Sequence, residues 1–199
     1  MSISATQVKE LRDRSGVGMM DCKKALVEAN GDLDKAFDIL RTSGIAKAQK
    51  KAGRSAKEGN VISYIHPGSK LGVLLELNCE TDFVSNTEDF NDLGNDIAMH
   101  IAATNPLGVT REDIPEDVIS KEKEIYSEQA KSSNKPENII EKMVEGRVNK
   151  YYKENVLLEQ DFVKDSNQTI EDLVTTAISK LGENIVVSRF SRFQLGDKK

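Results

Sequence analysis

The chain has 199 residues, with 28 Lys plus Arg against 33 Asp plus Glu, so its formal net charge is −5. That length suits one modest core with one or two small attachments and excludes a set of large domains. The acidic balance argues against a protein that mainly coats nucleic acid. No apolar stretch approaches the roughly 18 residues of a membrane span and no secretory signal is visible, so we expect a cytoplasmic protein without membrane contact.

Residue types that bind metals are scarce. The chain has two cysteines, Cys22 and Cys79, and two histidines, His66 and His100, without any short ligand spacing among them. Two distant cysteines in a chain without a secretory signal are typical of reduced thiols. We therefore predict neither a metal site nor a disulfide.

The first fifty residues predict three short helices. Ser4 begins the first with a capping-box pattern, and Gly16 and Gly31 mark the turns after the first and second helices. Asp32 caps the third helix, which we expect to end before Gly44. Three short helices joined by tight turns form a small bundle that is only marginally stable alone.

A basic segment follows the third helix and is expected to link it to the rest of the chain. Two interpretations stay open: a solvated, flexible connector, or a patch that meets phosphates or an acidic partner. Its cations are Lys47, Lys50, Lys51, Arg54 and Lys57.

After this segment the apolar period changes from helical to alternating. Val61–Ile65 and Leu71–Leu77 predict two antiparallel strands joined at His66-Pro67-Gly68-Ser69. Thr87 or Glu88 then begins a helix that stops at Asn105-Pro106. Strands followed by a helix that covers them indicate an α+β layer.

Residues 115–154 predict an antiparallel helical hairpin that turns at Ser132-Ser133-Asn134. Its apolar stripe is thin and its charge is high, which is typical of an arm that projects from a core. Val156–Val163 and Ile185–Phe193 are strand-like and lie on either side of a helix that Thr169 caps. We expect these last strands to complete the sheet that the first two begin.

The predicted fold class is therefore α+β, with an antiparallel-sheet core, covering helices and an inserted helical hairpin. The core is formed by two segments of the chain, and the arm is an insertion between them. We divide the chain into a three-helix domain with its basic linker (1–55), a core (56–114 and 155–199) and the arm (115–154).

No segment has the residue pattern of an active site. The chain contains no Gly-Lys dipeptide and so no phosphate-binding loop, and Gly16-Val17-Gly18 lies between helices instead of after a strand. No G-x-S-x-G elbow is present, and neither His66 nor His100 has a nucleophile close in sequence. We therefore predict no hydrolase or other enzyme with covalent chemistry, and no bound cofactor.

The segment from Asn78 to Val84 is unusual because it places an acidic residue beside a large apolar one after a strand, where a loop should be polar. In one interpretation, Asp82 caps a short turn and Phe83 folds back into the core. In the other, the two residues form an exposed tip that enters a partner, with the aromatic ring as its anchor.

Four strings of six to eight residues, in this order along the chain, resemble the translation elongation factor Ts family. The resemblance runs over about residues 2–195, and each string is far more specific than a lone glycine pattern. The strings are Met19–Leu26, Asn78–Val84, Ala98–Ala103 and Glu141–Arg147.

The resemblance implies a guanine-nucleotide exchange factor for the GTPase elongation factor Tu, acting in translation elongation without covalent chemistry or a cofactor of its own. It also implies a ubiquitin-associated-like fold for the three helices and a coiled coil for the arm.

The resemblance further implies roles for particular residues. In the family, the segment matching Thr81, Asp82, Phe83 and Val84 acts near the partner's Mg²⁺ and helps to displace this ion. The segment matching Leu11, Met19 and Met20 packs against the partner's GTPase domain, and the segment matching His100 lies at the contact with its nucleotide-binding region.

Some alternatives stay open. Met19 and Met20 could instead belong to the core at a helix end, although two adjacent methionines cannot both face inward. The chain carries one core unit where longer family members carry two, so we expect a homodimer, paired through the sheet or the arm, to supply the missing half. The alternative function is an RNA-associated or adaptor protein that uses the basic linker and the three-helix domain, but the net charge of −5 weighs against direct nucleic-acid binding.

Overall fold

The structure, a computed structural model, describes residues 3–131 and 136–197. Its first three helices are α1 (Ala5–Ser15), α2 (Met19–Glu28) and α3 (Leu33–Gln49). Ser4 forms the predicted capping box, and Gly16 ends α1 in the left-handed conformation that a residue without a side chain adopts most easily. The predicted starts of the first and third helices, at Ser4 and Asp32, are confirmed.

The predicted end of α3 is wrong, because this helix continues through Gly44 to Gln49. Gly44 is buried, and a Cβ placed on it would lie 3.9 Å from the Cβ of Ser179 on α8 (Ile170–Leu181). A methyl group at this position would make an ordinary van der Waals contact, and the buried glycine continues the helix instead of ending it. As a consequence, the basic segment begins inside a helix and is not a flexible connector throughout.

The sheet consists of β1 (Glu58–Ile65), β2 (Leu71–Cys79) and β5 (Val186–Gln194). The strand order is β1-β2-β5, and both neighbouring pairs are antiparallel. The predicted hairpin and the predicted closing strand are confirmed. The last nine-residue strand therefore lies beside β2 although more than a hundred residues separate them.

Helices cover one face of the sheet, where the main apolar core lies. α4 (Asp82–Ser85) and α5 (Glu88–Thr104) lie on the sheet, and α8 packs against α5 in the same core. Thr87, one of the two predicted starts, caps α5, and Thr169 caps α8 as predicted. Alternate residues of β2 enter this core, as expected for a strand with one covered face. The largest wholly buried apolar side chains of this core are Phe90, Leu75, Leu77, Ile97, Ile101, Leu157 and Ile170.

The arm consists of α6 (Glu116–Lys131) and α7 (Glu137–Asn155), and the predicted turn at 132–134 lies outside the described residues. A small apolar cluster fills its base, formed by Ile114, Ile119, Val148 and Val156. The fold class is thus α+β, with the helical hairpin inserted in the core. No helix in the described ranges is both long and apolar enough to cross a membrane.

The predicted strand over Val156–Val163 is wrong. This segment forms one 3₁₀ turn, Leu157–Glu159, and the two-residue strand β3 (Asp161–Phe162), which pairs with β4 (Asp165–Thr169). The reason is that Leu157 and Gln160 both point into the core, and this spacing of three requires a helical turn. The second sheet therefore has only two strands.

Candidate functional site

An acidic and an aromatic side chain project from the first turn after β2. Asp82 and Phe83 begin α4, and Phe83 is 83% exposed. Val84, the next residue, is buried in the main core. Because successive helical side chains point about 100° apart, burying Val84 directs Phe83 towards solvent. The structure therefore has the exposed tip and not the folded-back aromatic ring.

A carboxylate from the other end of the chain binds the backbone just before this tip. One oxygen of Glu183 accepts hydrogen bonds from the backbone N–H groups of Glu80 (3.1 Å) and Thr81 (3.0 Å). Its other oxygen accepts from the Thr81 hydroxyl at 2.6 Å. These three bonds hold the residues that lead into α4 against the turn between α8 and β5.

The turn between α8 and β5 is itself held by a carboxylate from the segment before the tip. The carboxylate of Glu80 accepts from the backbone N–H of Asn184 at 2.7 Å and lies 3.5 Å from the guanidinium of Arg54. The buried Asn184 amide donates to the Arg54 carbonyl at 2.9 Å. The segments before the tip and after α8 are thus joined by reciprocal carboxylate-to-backbone bonds.

Cys79 lies directly before these residues and is buried. Its thiol donates to the Thr81 carbonyl at 3.1 Å. Burial raises the pKa of the Cys79 thiol, with the nearby carboxylate of Glu183 acting in the same direction. The thiol therefore stays protonated at neutral pH and serves packing and hydrogen bonding, which agrees with the prediction of reduced cysteines.

Two methionines form a second exposed group at the start of α2. Met19 is 50% and Met20 is 66% exposed, so the interpretation as helix-end core is wrong. Leu11, by contrast, is wholly buried in the cluster that holds the three helices together. Among these residues only the methionines offer side chains to a partner, and Leu11 supports the helix behind them.

The basic segment lies between the methionines and the tip, and three of its cations contact other groups of this chain. The Lys47 ammonium lies 2.7 Å from the carboxylate of Asp21, beside the methionines, and its hydrogen bond lowers the pKa of Asp21. The ammonium of Lys51 donates to the Ile178 carbonyl at 3.4 Å, near the end of α8. Together with the Arg54–Glu80 pair, these contacts argue against the flexible-connector interpretation.

His100 lies inside the core and not on a surface. Its Nε2–H donates to the side-chain oxygen of Gln160 at 2.9 Å, and its Nδ1 accepts from the Val163 N–H at 3.3 Å. Burial lowers the pKa of His100, although the bond to Gln160 opposes this effect. The neutral ring therefore joins α5 to the segment after the arm, and the sequence did not reveal this position.

Sequence reasoning also missed Glu183 and Asn184. The sequence signal for Glu183 is weak, since a Glu after a helix-ending glycine is usually an exposed surface residue. The decisive fact is tertiary: Asn78 pairs with Val186, which brings the turn before β5 to the segment that leads into the tip. In the part of the chain that the structure describes, no group of three or more metal-ligating side chains converges.

The fold and the site together define an α+β protein that presents an exposed acidic and aromatic tip. Residues 46–197 match the family described as Elongation factor TS. Elongation factor Ts of Fervidobacterium nodosum is 63% identical over 197 residues, covering 99% of this chain and 100% of that protein. Elongation factor Ts of Thermosipho melanesiensis is 60% identical over 195 residues, and that of Syntrophobacter fumaroxidans is 52% identical over 198. The chain belongs to the elongation factor Ts family, a family of translation elongation factors.

Proposed function

We propose that this protein is a guanine-nucleotide exchange factor that binds elongation factor Tu in its GDP form and promotes release of the nucleotide. Family membership supports the partner, and the 83% exposure of Phe83 is the observation that carries the mode of action. A large aromatic side chain with so little internal contact has most of its surface left for a partner to bury.

The exchange step needs no covalent chemistry, so the protein is not proposed to be an enzyme in that sense. GDP bound to a GTPase is held by Mg²⁺ and by backbone amides around its phosphates. Raising its release rate about 10⁴-fold requires lowering the barrier by roughly 5.5 kcal/mol. The factor achieves this only by binding the nucleotide-free shape of the partner more tightly than the GDP-bound shape.

The tip supplies two of the required interactions. Phe83, entering the partner as a wedge, contributes about 2 kcal/mol when it is fully buried. Asp82 lies beside it at the first position of α4 and perturbs the shell of the partner's Mg²⁺ through its charge. Thr81 and Val84 hold the tip from either side, the first through Glu183 and the second through the core.

The exposed methionines give the second contact, with the GTPase domain. Met19 and Met20 are flexible and polarizable, which suits a surface that changes shape during exchange. Leu11 and His100 are proposed to act indirectly, because both side chains are wholly buried. They fix the helices whose outer surfaces meet the partner.

The alternative function, RNA or adaptor binding through the basic segment, has less support. Lys47, Lys51 and Arg54 each contact an acidic or carbonyl group of the protein itself. Because these cations already have partners in the chain, they are less available to bind a series of phosphates. We therefore propose elongation factor Tu as the partner, without direct nucleic-acid or membrane contact, in the cytoplasm.

The experiment that tests this function is release of fluorescent GDP from purified elongation factor Tu, with and without this protein. We expect strong acceleration at micromolar factor. Unchanged release would contradict the proposed function, whatever the fold.

We further propose that two copies pair through the outer face of the sheet. Exposed apolar side chains lie there in register, since Ile65 and Phe193 flank Gly72 while Leu74 faces Ser63. Apolar side chains on an uncovered sheet face favour packing against a second sheet. The arrangement would compensate for the single core unit of each chain.

The division of the chain into 1–55, 56–114 with 155–199, and 115–154 also stays a proposal. Three apolar clusters support it, one in the first helices, one under the sheet and one at the base of the arm. Ala48, at the end of α3, belongs to the cluster under the sheet, so the first two units share a helix.

A further inference from the structure

The direction of the tip depends on the buried Val84 and on the backbone that enters α4. Phe83 is mostly in solvent, and Asp82 beside it is exposed. Neither of these two side chains fixes its own position, so Val84 on one side and the entering segment on the other must do so.

That entry lacks the usual helix cap. Thr81 occupies the N-cap position, but its side chain makes no capping bond to α4. Its hydroxyl instead donates to the Glu183 carboxylate at 2.6 Å, and its backbone N–H donates to the same carboxylate at 3.0 Å. A side-chain cap would bind the N–H groups of the first turn of α4, whereas Glu183 binds the residues that lead into that turn.

The carboxylate itself is held by rigid elements. Glu183 lies between α8, which Gly182 ends, and β5, which pairs with β2. The neighbouring Asn184 donates its backbone N–H to Glu80, so the two segments bind each other at two points. A carboxylate only accepts hydrogen bonds, and it binds N–H and O–H donors more strongly than a neutral group does.

We propose that Glu183 is a positioning residue that holds the Asp82–Phe83 tip in the geometry needed to displace the partner's nucleotide. The proposal rests on the exchange function proposed above. A tip that is already ordered loses less conformational freedom on binding. A displaced tip makes fewer contacts with the partner in the transition state of nucleotide release.

The test compares Glu183→Ala with the wild type in GDP release from elongation factor Tu, over a range of factor concentrations. We expect the maximal rate to fall about tenfold. The concentration at half-maximal rate should change less than about threefold, because the methionine surface still binds. Glu183→Gln keeps an oxygen for the two N–H groups and should restore most of the rate.

A matched control is Glu159→Ala, which removes a carboxylate that is hydrogen-bonded to Arg111 at the base of the arm. It should leave the maximal rate near the wild-type value. Equal loss in both variants would show a general effect of stability and would overturn the proposal.

A double-mutant cycle shows whether Glu183 acts through the tip. Adding Glu183→Ala to Phe83→Ala should slow exchange little further, because the anchor is already absent. Fully additive losses would overturn the proposal. If Glu183→Ala does not fold, Thr81→Val removes only the hydroxyl bond and should lower the maximal rate about threefold, and an unchanged rate would again overturn it.

Amide hydrogen exchange tests the positioning independently of activity. Glu183→Ala should accelerate exchange at residues 80–83 and leave the centre of β2 protected. Unchanged exchange there overturns the role of Glu183 alone. A wild-type protein that does not accelerate GDP release overturns the exchange function instead.

Discussion

At the scale of single residues, the structure separates side chains that face outward from those that hold them. Phe83 is exposed while Val84 beside it is buried, so a single helical turn has both functions. The same division applies to the methionines of α2 and to Leu11 behind them. Changes to outward residues should therefore alter exchange without altering stability, and changes to the buried ones should lower stability first and affect exchange only through the helices that they support.

The first prediction concerns the tip. Phe83→Ala should slow catalysed GDP release about 30-fold, the equivalent of losing roughly 2 kcal/mol of burial, and Asp82→Ala should slow it to a lesser extent. Thermal unfolding should be nearly unchanged because both side chains are exposed. Leu107→Ala, which truncates another exposed apolar residue, is the control. Full activity of both tip variants would show that the tip is assigned wrongly.

The second prediction concerns pH and His100. Protonating Nδ1 would set its N–H against the Val163 N–H that now donates to it, so the folded protein disfavours the charged ring. Since the pKa of His100 is lowered in the folded state from an ordinary value of 6.5, the unfolded chain binds this proton more readily. Stability is then complete above about pH 6.5 and falls as the pH drops from there through the folded pKa.

The measurement is the melting temperature at about pH 7.5 and pH 5.5. The wild type should melt at a lower temperature at the acidic pH, and His100→Gln should lose much of this difference. His66→Gln, in an exposed turn, should keep it. Identical pH dependence in all three proteins would contradict the role given to His100.

At the scale of elements, two glycines inside helices differ in what surrounds them. Gly94 on α5 faces β1, where an added Cβ would overlap the Ile62 side chain, whereas a Cβ on Gly146 of α7 would meet no atom within 4 Å. At the first glycine, a methyl group would force the buried Ile62 side chain to move. The second lowers the helical propensity of the arm, and no packing contact among the described residues calls for it.

The third prediction follows from this contrast. Gly146→Ala should raise the free energy of unfolding by about 0.5–1 kcal/mol, because alanine restricts the unfolded chain and fits the helix. Gly94→Ala should lower it by about 1–3 kcal/mol through overpacking. Urea denaturation monitored by circular dichroism measures both. A stabilised Gly94→Ala variant would contradict the predicted overpacking between α5 and β1.

At the scale of the whole molecule, the fourth prediction tests the proposed dimer. Leu74→Lys places a charge in the middle of the outer sheet face and should shift the protein to monomer in sedimentation equilibrium. Ile139→Lys does the same on the arm, where Ile139 is 41% exposed, and should leave the dimer intact. The opposite pattern would place the interface on the arm, and a wild-type monomer would exclude the dimer.

The sequence by itself determined the fold class, the helix caps, the hairpin and the family, because these depend on local spacing and on short strings of residues. Ser4, Thr87 and Thr169 signal helix starts within one turn, and alternation along β2 signals a covered face. Local patterns failed where burial imposed another period, as in the 3₁₀ turn after the arm, and where a helix continued through a glycine, as at Gly44.

Only the tertiary structure decided how this net-acidic chain arranges its residues into a site. It exposed Phe83, buried His100, and brought Glu183 to Thr81 across about a hundred residues of sequence. It also paired cations of the basic segment with the protein's own groups. The physical reason is that hydrogen bonds and burial depend on distance in space, which strand pairing between β2 and β5 sets and which no spacing along the chain encodes.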